Sequence, residues 1–101
     1  MGTPSYILHG AERAMELTFG FACHGAGRVM GRAEAKRKFR GEVLEKQLAE
    51  QGIYVRATHP SMLAEEAPEV YKSSSEVVNV VHDLNIARKV VRVKPMGVAK
   101  G

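Results

Sequence analysis

The sequence predicts an α+β fold of mixed helices and short strands, and three observations carry that reading. Ser73 followed by Glu76 makes a capping box, and Val77, Val80, Val81 and Leu84 recur at the i, i+3, i+4, i+7 spacing of a buried helical face. Val43, Leu44 and Leu48 share one face of a second helix over residues 42–50, which Gly52 ends. Residues 53–57, Ile-Tyr-Val-Arg-Ala, and the alternating charged and Val-rich positions of residues 89–94 have the pattern of strands.

The remaining elements follow in order. Residues 6–8 read as a short strand, His9-Gly10 as a turn, and residues 11–17, with Ala11, Ala14 and Met15 at helical spacing, as a short helix. Residues 19–27 hold three glycines and little periodic polarity, which predicts a loop. Residues 28–39 have the Ala, Glu, Lys and Arg content of a helix. Pro60 and Pro68 break residues 59–72 into short helical turns, and residues 95–101 read as an irregular tail. No internal repeat divides the 101 residues, so a single modest core over residues 1–101 is expected.

Composition narrows the function classes. With 45% hydrophobic and 26% charged residues the chain is globular rather than disordered, and a net charge of +4 favours anionic partners, nucleic acid among them. Cys23 is the only cysteine, so no internal disulfide forms and a cytoplasmic setting is the simplest reading. Neither a signal peptide nor a membrane-spanning stretch is visible.

The segment richest in chemistry is residues 18–32, where glycines surround His24 and lead into a basic helix. Successive N–H groups of such a loop can form an anion-binding nest, and the following helix start adds partial positive charge. The spacing is neither that of the P-loop nor that of the dinucleotide fingerprint. Two readings of His24 stand side by side: a structural or solvent-facing histidine, the commoner case, and a neutral imidazole that attacks phosphorus. Cys23 reads as a small packing residue. Arg28, Arg32 and Lys36 recur at steps of four and would form one positive stripe able to hold RNA phosphates. Arg37, Lys38 and Arg40 read as a solvated face. Tyr71 is either a stacking residue or core. His9, His24, His59 and His82 are too scattered for a metal site.

Taken together, Gly2-Thr-Pro-Ser-Tyr-Ile-Leu, Thr18-Phe-Gly, Cys23-His-Gly-Ala-Gly-Arg-Val-Met, Arg40-Gly, Leu63-Ala-Glu-Glu-Ala-Pro, Tyr71-Lys and Lys94-Pro-Met-Gly-Val-Ala-Lys-Gly resemble, in order and spacing, the C-terminal region of the RtcB family of tRNA-splicing RNA ligases. The resemblance covers nearly the whole chain and favours the nucleophilic reading of His24. It implies a C-terminal segment of the RtcB-like fold, in which His24 takes GMP covalently from GTP with manganese assisting. That GMP passes to an RNA 3′-phosphate, which a 5′-hydroxyl then attacks, 2′,3′-cyclic phosphate ends being opened first. By the same resemblance Ser5 contacts the guanine, Tyr71 stacks on it and Lys100 hydrogen-bonds the nucleotide. Ala26 and Gly27 lie along its phosphate, and Arg28 and Arg32 meet the RNA phosphate.

The family's manganese ligands belong to a longer N-terminal part that this chain lacks. The resemblance therefore implies no metal on the chain alone and the need for an N-terminal ligase segment or a full-length ligase as partner, with RNA (tRNA halves) as substrate. The start at Met1, inside a family motif, suggests a fragment, the product of a split gene or a separate reading frame. Phe21 stands where the family usually has serine, and Gly31 where Met-Ser-Arg is usual. These departures mildly favour a degenerate remnant; a non-catalytic module that binds RNA or associates with a ligase is the other alternative. Self-association through the face of Val77, Val80, Val81 and Leu84 is a further expectation.

Overall fold

A computed structural model describes residues 1–101. The elements in chain order are β1 (Ser5–Gly10), α1 (Ala14–Thr18), α2 (Arg32–Lys38), α3 (Gly41–Glu50), β2 (Tyr54–Ala57), α4 (Pro60–Glu65), a 3₁₀ turn (Pro68–Val70), α5 (Ser74–Asp83), β3 (Ala87–Val93) and β4 (Gly97–Lys100). The fold is α+β. The chain divides into two compact units, one of Met1–Thr3, Arg28–Tyr71 and Lys94–Gly101, the other of Pro4–Gly27 and Lys72–Val93.

The first unit holds α2, α3, α4 and the parallel pair β2–β4, in which Tyr54 stands opposite Gly97 and Ala57 opposite Lys100. Leu44 and Leu48 of α3 point inward at the helical spacing the sequence predicts, whereas Val43 is exposed. Leu44 joins Ala35, Ala67 and Val70, while Leu48 joins Ile53, Val55 and Leu63. Gly52, at φ +78°, ends α3 in the left-handed region, and the Ile53 N–H returns to the Leu48 carbonyl at 2.9 Å. At the other end of α3, Gly41 packs on the Pro60 carbonyl so closely that a side chain would collide with it. Residues 95–101, expected as an irregular tail, instead form β4. Tyr54 donates to the Met96 carbonyl and Thr58 to the Lys100 carbonyl, and this distant partner holds the segment extended.

The helix expected over residues 28–39 is shorter than its composition suggests. Arg28 forms a β-bridge with Tyr71 and Val29 donates to the Val70 carbonyl at 2.7 Å, so the first four residues are drawn out and α2 begins after Gly31.

In the second unit, β1 and β3 pair antiparallel with an irregularity between Ile7 and Leu8, and α5 packs with them. Ser73 caps α5 by accepting the Glu76 N–H at 3.4 Å. The buried face of α5 is Val78 and Val81, not the full set Val77, Val80, Val81 and Leu84; Val80 and Leu84 are exposed. Two hydroxyls explain the rotation. Ser74 Oγ donates to the Pro4 carbonyl at 3.0 Å and Ser75 Oγ pairs with Tyr6 Oη at 2.7 Å, which turns the 74/78/81 side of the helix toward the sheet.

Candidate functional site

The His24 loop begins where α1 is stopped. Phe19 and Gly20 both take positive φ, 55° and 84°, and the Gly20 N–H closes on the Ala14 carbonyl at 2.9 Å. Beyond them the chain runs without a regular helix or strand to Gly27, whose carbonyl accepts the Lys72 N–H at 2.9 Å. His24 is exposed, and none of the side-chain hydrogen bonds in the structure involves it. Ala26 is half-buried and Gly27 exposed. Neither Gly25 nor Gly27 has a positive φ, and a side chain at either would meet no other atom within 4 Å. The chain's own packing therefore gives no reason for glycine at these two positions. Ser5, at the start of β1, is exposed opposite Val93.

In the other unit a second group of expected site residues is gathered by a carboxylate that the sequence reading did not assign. Tyr71 Oη donates to Glu66 Oε2 at 2.8 Å, Lys100 Nζ lies 3.4 Å from the same oxygen, and Arg28 Nη1 lies 3.5 Å from Glu66 Oε1. Arg28 also donates to Tyr71 Oη at 3.0 Å and to the Glu65 carbonyl at 2.7 Å, with its guanidinium 5.1 Å from the Tyr71 ring centre. Partial burial pushes the Glu66 carboxyl up, but the Tyr71 hydroxyl, the Lys100 ammonium and the Arg28 guanidinium outweigh it and hold it below the usual range. Burial, joined by the Glu66 carboxylate, raises the Tyr71 phenol above its ordinary value.

Local sequence explains this placement. Pro68 disfavours helix at the residue before it, so α4 stops at Glu65; Ala67 and Val70 are fully buried and fix the segment that carries Glu66 and Tyr71. Lys100 arrives on β4.

Glu65 treats the rest of the stripe likewise. Its carboxylate lies 3.6 Å from Arg32 Nε and 2.6 Å from Lys36 Nζ, so all three cations at steps of four are matched by internal carboxylates. A cleft of about 250 Å³ is lined by Arg32, Met62, Glu65, Glu66 and Lys100. The structure thus brings Arg28, Arg32, Tyr71 and Lys100 around Glu65 and Glu66, while Ser5, His24, Ala26 and Gly27 belong to the other unit. The signal for the two glutamates was the Glu65-Glu66 pair in a basic chain, just before Ala67-Pro68. No group of three His, Cys, Asp or Glu side chains is placed to hold a metal ion.

Comparison with known proteins bears on this geometry. A family model described as tRNA-splicing ligase RtcB matches residues 1–101. The chain is 64% identical to a tRNA-splicing ligase RtcB of Archaeoglobus fulgidus, 55% to one of Thermococcus kodakarensis and 46% to one of Methanococcus maripaludis, each over 101 residues. It spans about a fifth of the length of these curated relatives, 21% in each. The class these similarities define is that of the tRNA-splicing ligases. Within it, the chain belongs to the RtcB family.

Proposed function

We propose that the chain is the nucleotide-accepting C-terminal part of a GTP- and manganese-dependent RNA ligase, which joins RNA 2′,3′-cyclic phosphate or 3′-phosphate ends to 5′-hydroxyl ends in tRNA splicing and RNA repair. The observation that carries this reading is His24: an exposed imidazole with no internal hydrogen bond, followed by two glycines, Gly25 and Gly27, that the chain's own packing does not require. Such glycines leave the backbone open to close approach by a phosphate group.

In this scheme a ring nitrogen of His24 attacks the α-phosphorus of GTP, an N–P bond forms and pyrophosphate leaves. An oxygen of the RNA 3′-phosphate then displaces the imidazole and takes up the GMP. Attack by the 5′-hydroxyl on the RNA phosphorus expels GMP and gives up the hydroxyl proton. Ser5 contacts the guanine, Tyr71 stacks on it and Lys100 bonds the nucleotide; Ala26 and Gly27 flank its phosphate, and Arg28 and Arg32 serve the RNA phosphate. The manganese ligands belong to an N-terminal ligase part, without which the chain is inactive, and the assembly works in the cytoplasm. No helix is long and apolar enough to cross a membrane.

The test is covalent labelling. The chain is mixed with the N-terminal part of an RtcB relative, manganese and α-labelled GTP, and label should appear on the chain and vanish in His24→Ala. Absence of label with every N-terminal partner, or label that survives His24→Ala, overturns the reading.

A further inference from the structure

The basic residues from Arg28 to Arg40 fall into two sets. Arg28, Arg32 and Lys36 face Glu65 or Glu66, whereas no ion pair involves Arg37, Lys38 or Arg40. Those three, which read from sequence as a solvated face, are the positive charges of this segment with no internal carboxylate to satisfy them.

Two of them border a concavity. A cleft of about 360 Å³ is lined by Arg37, Phe39, Arg40, Glu42, His59 and Ser61 among others, at the close contact between Gly41 and Pro60. Lys36 also reaches it but is held by Glu65 at 2.6 Å. Glu42 is its single lining carboxylate, so the unpaired arginines leave the cleft net positive. His59 caps α4: its Nδ1 accepts the Ser61 N–H at 3.1 Å and lies 2.8 Å from the Ser61 hydroxyl.

We propose that this cleft binds the sugar–phosphate backbone of a single RNA strand, with Arg37 and Arg40 each taking a phosphate. Guanidinium forks match phosphate oxygens, and a strand of evenly spaced single charges suits two separate lining arginines better than a compact anion does. The proposal rests on the ligase reading for its choice of RNA, but none of its residues is among those assigned to the nucleotide. Its residues are distinct from Arg28 and Arg32, which pair with Glu66 and Glu65 in this structure.

Binding of a fluorescein-labelled single-stranded RNA to the full 101-residue chain, followed by anisotropy at several salt concentrations, tests this. Arg37→Gln with Arg40→Gln should weaken binding by roughly 10-fold at low salt and flatten the log–log salt slope by about 1.4, from ~0.7 per phosphate contact on a single strand. Arg37→Glu with Arg40→Glu should weaken it further, with the circular dichroism spectrum unchanged, while Lys46→Gln, at an exposed position of α3 that does not line the cleft, should change affinity by less than about 2-fold. Absence of RNA binding at low salt, or a double variant equal to the parent, overturns the proposal. So does poly-L-glutamate that displaces the RNA as well as unlabelled RNA of equal charge does, because an acidic protein would then fit equally well. A chain that binds RNA through these arginines yet never takes GMP on His24 overturns the ligase reading and leaves the cleft assignment standing.

Discussion

Glu66 shows how one carboxylate can order several cationic and phenolic groups at once. Removing it leaves the Tyr71 hydroxyl and the Arg28 guanidinium short of a half-buried partner, so Glu66→Ala should destabilise the first unit by about 1–3 kcal/mol in chemical denaturation, from the cost of an unmet buried polar group. The same pair sets a pH window. The Glu66 carboxyl lies below its unfolded value, so its contribution is present above the ordinary carboxylate range and is lost as pH falls through the folded value. The Tyr71 phenol lies above its unfolded value, so its contribution is present below about pH 10 and is lost as pH rises through the folded value. Thermal melts of the chain should therefore fall on both the acid and the alkaline side, and Glu66→Gln should flatten the acid side. An unaltered acid limb in that variant would assign the acid sensitivity to other groups.

At the level of elements, the join between α3 and α4 is the tightest backbone contact that involves a glycine. A methyl group at Gly41 collides with the Pro60 carbonyl, and since both atoms belong to backbone, relief requires one helix to move. Gly41→Ala should cost about 1–3 kcal/mol, as overpacking does, in spite of alanine's better helix propensity. A denaturation midpoint at or above the parent's would show that the helices separate freely. Leu63 of α4 is 2% exposed, and Leu63→Ala should cost about 2–5 kcal/mol by the same measurement.

Across the whole molecule the two units differ in how much they bury. The first holds both hydrophobic clusters, whereas the second buries only Val78, Val81, Ile86 and Ala87 and leaves Phe19 83% and Phe21 73% exposed, with Val80, Val90 and Val91 also in solvent. Low burial predicts low local stability, so amides of β1 and β3 should exchange with deuterium faster than those of α3. Equal protection in the two would show that they open together.

The parts of this architecture that could be read from sequence are those decided within one turn of chain. Ser73 announces α5 and Gly52 ends α3 because caps are local chemistry. The strand Gly97–Lys100 was not legible, because its four residues are extended only by pairing with β2. The roles of Glu65 and Glu66 were hidden for the same reason: Arg28, Arg32, Lys36 and Lys100 reach them from distant positions. The inward side of α5 was misjudged because hydroxyls at Ser74 and Ser75, not apolar periodicity, turn the helix.

The parallel pairing of Tyr54–Ala57 with Gly97–Lys100 also governs the order in which the chain can mature during synthesis. Helices α2, α3 and α4 can collapse as they leave the ribosome, since their contacts are close in sequence. Strand β2 then waits, one edge open, while all of α5 and β3 is made. Only the arrival of the later strand closes that edge, and the same event delivers Lys100 to Glu66. The cluster around that carboxylate is consequently among the last features to form, and a chain truncated before residue 97 keeps Arg28 and Tyr71 but not their lysine.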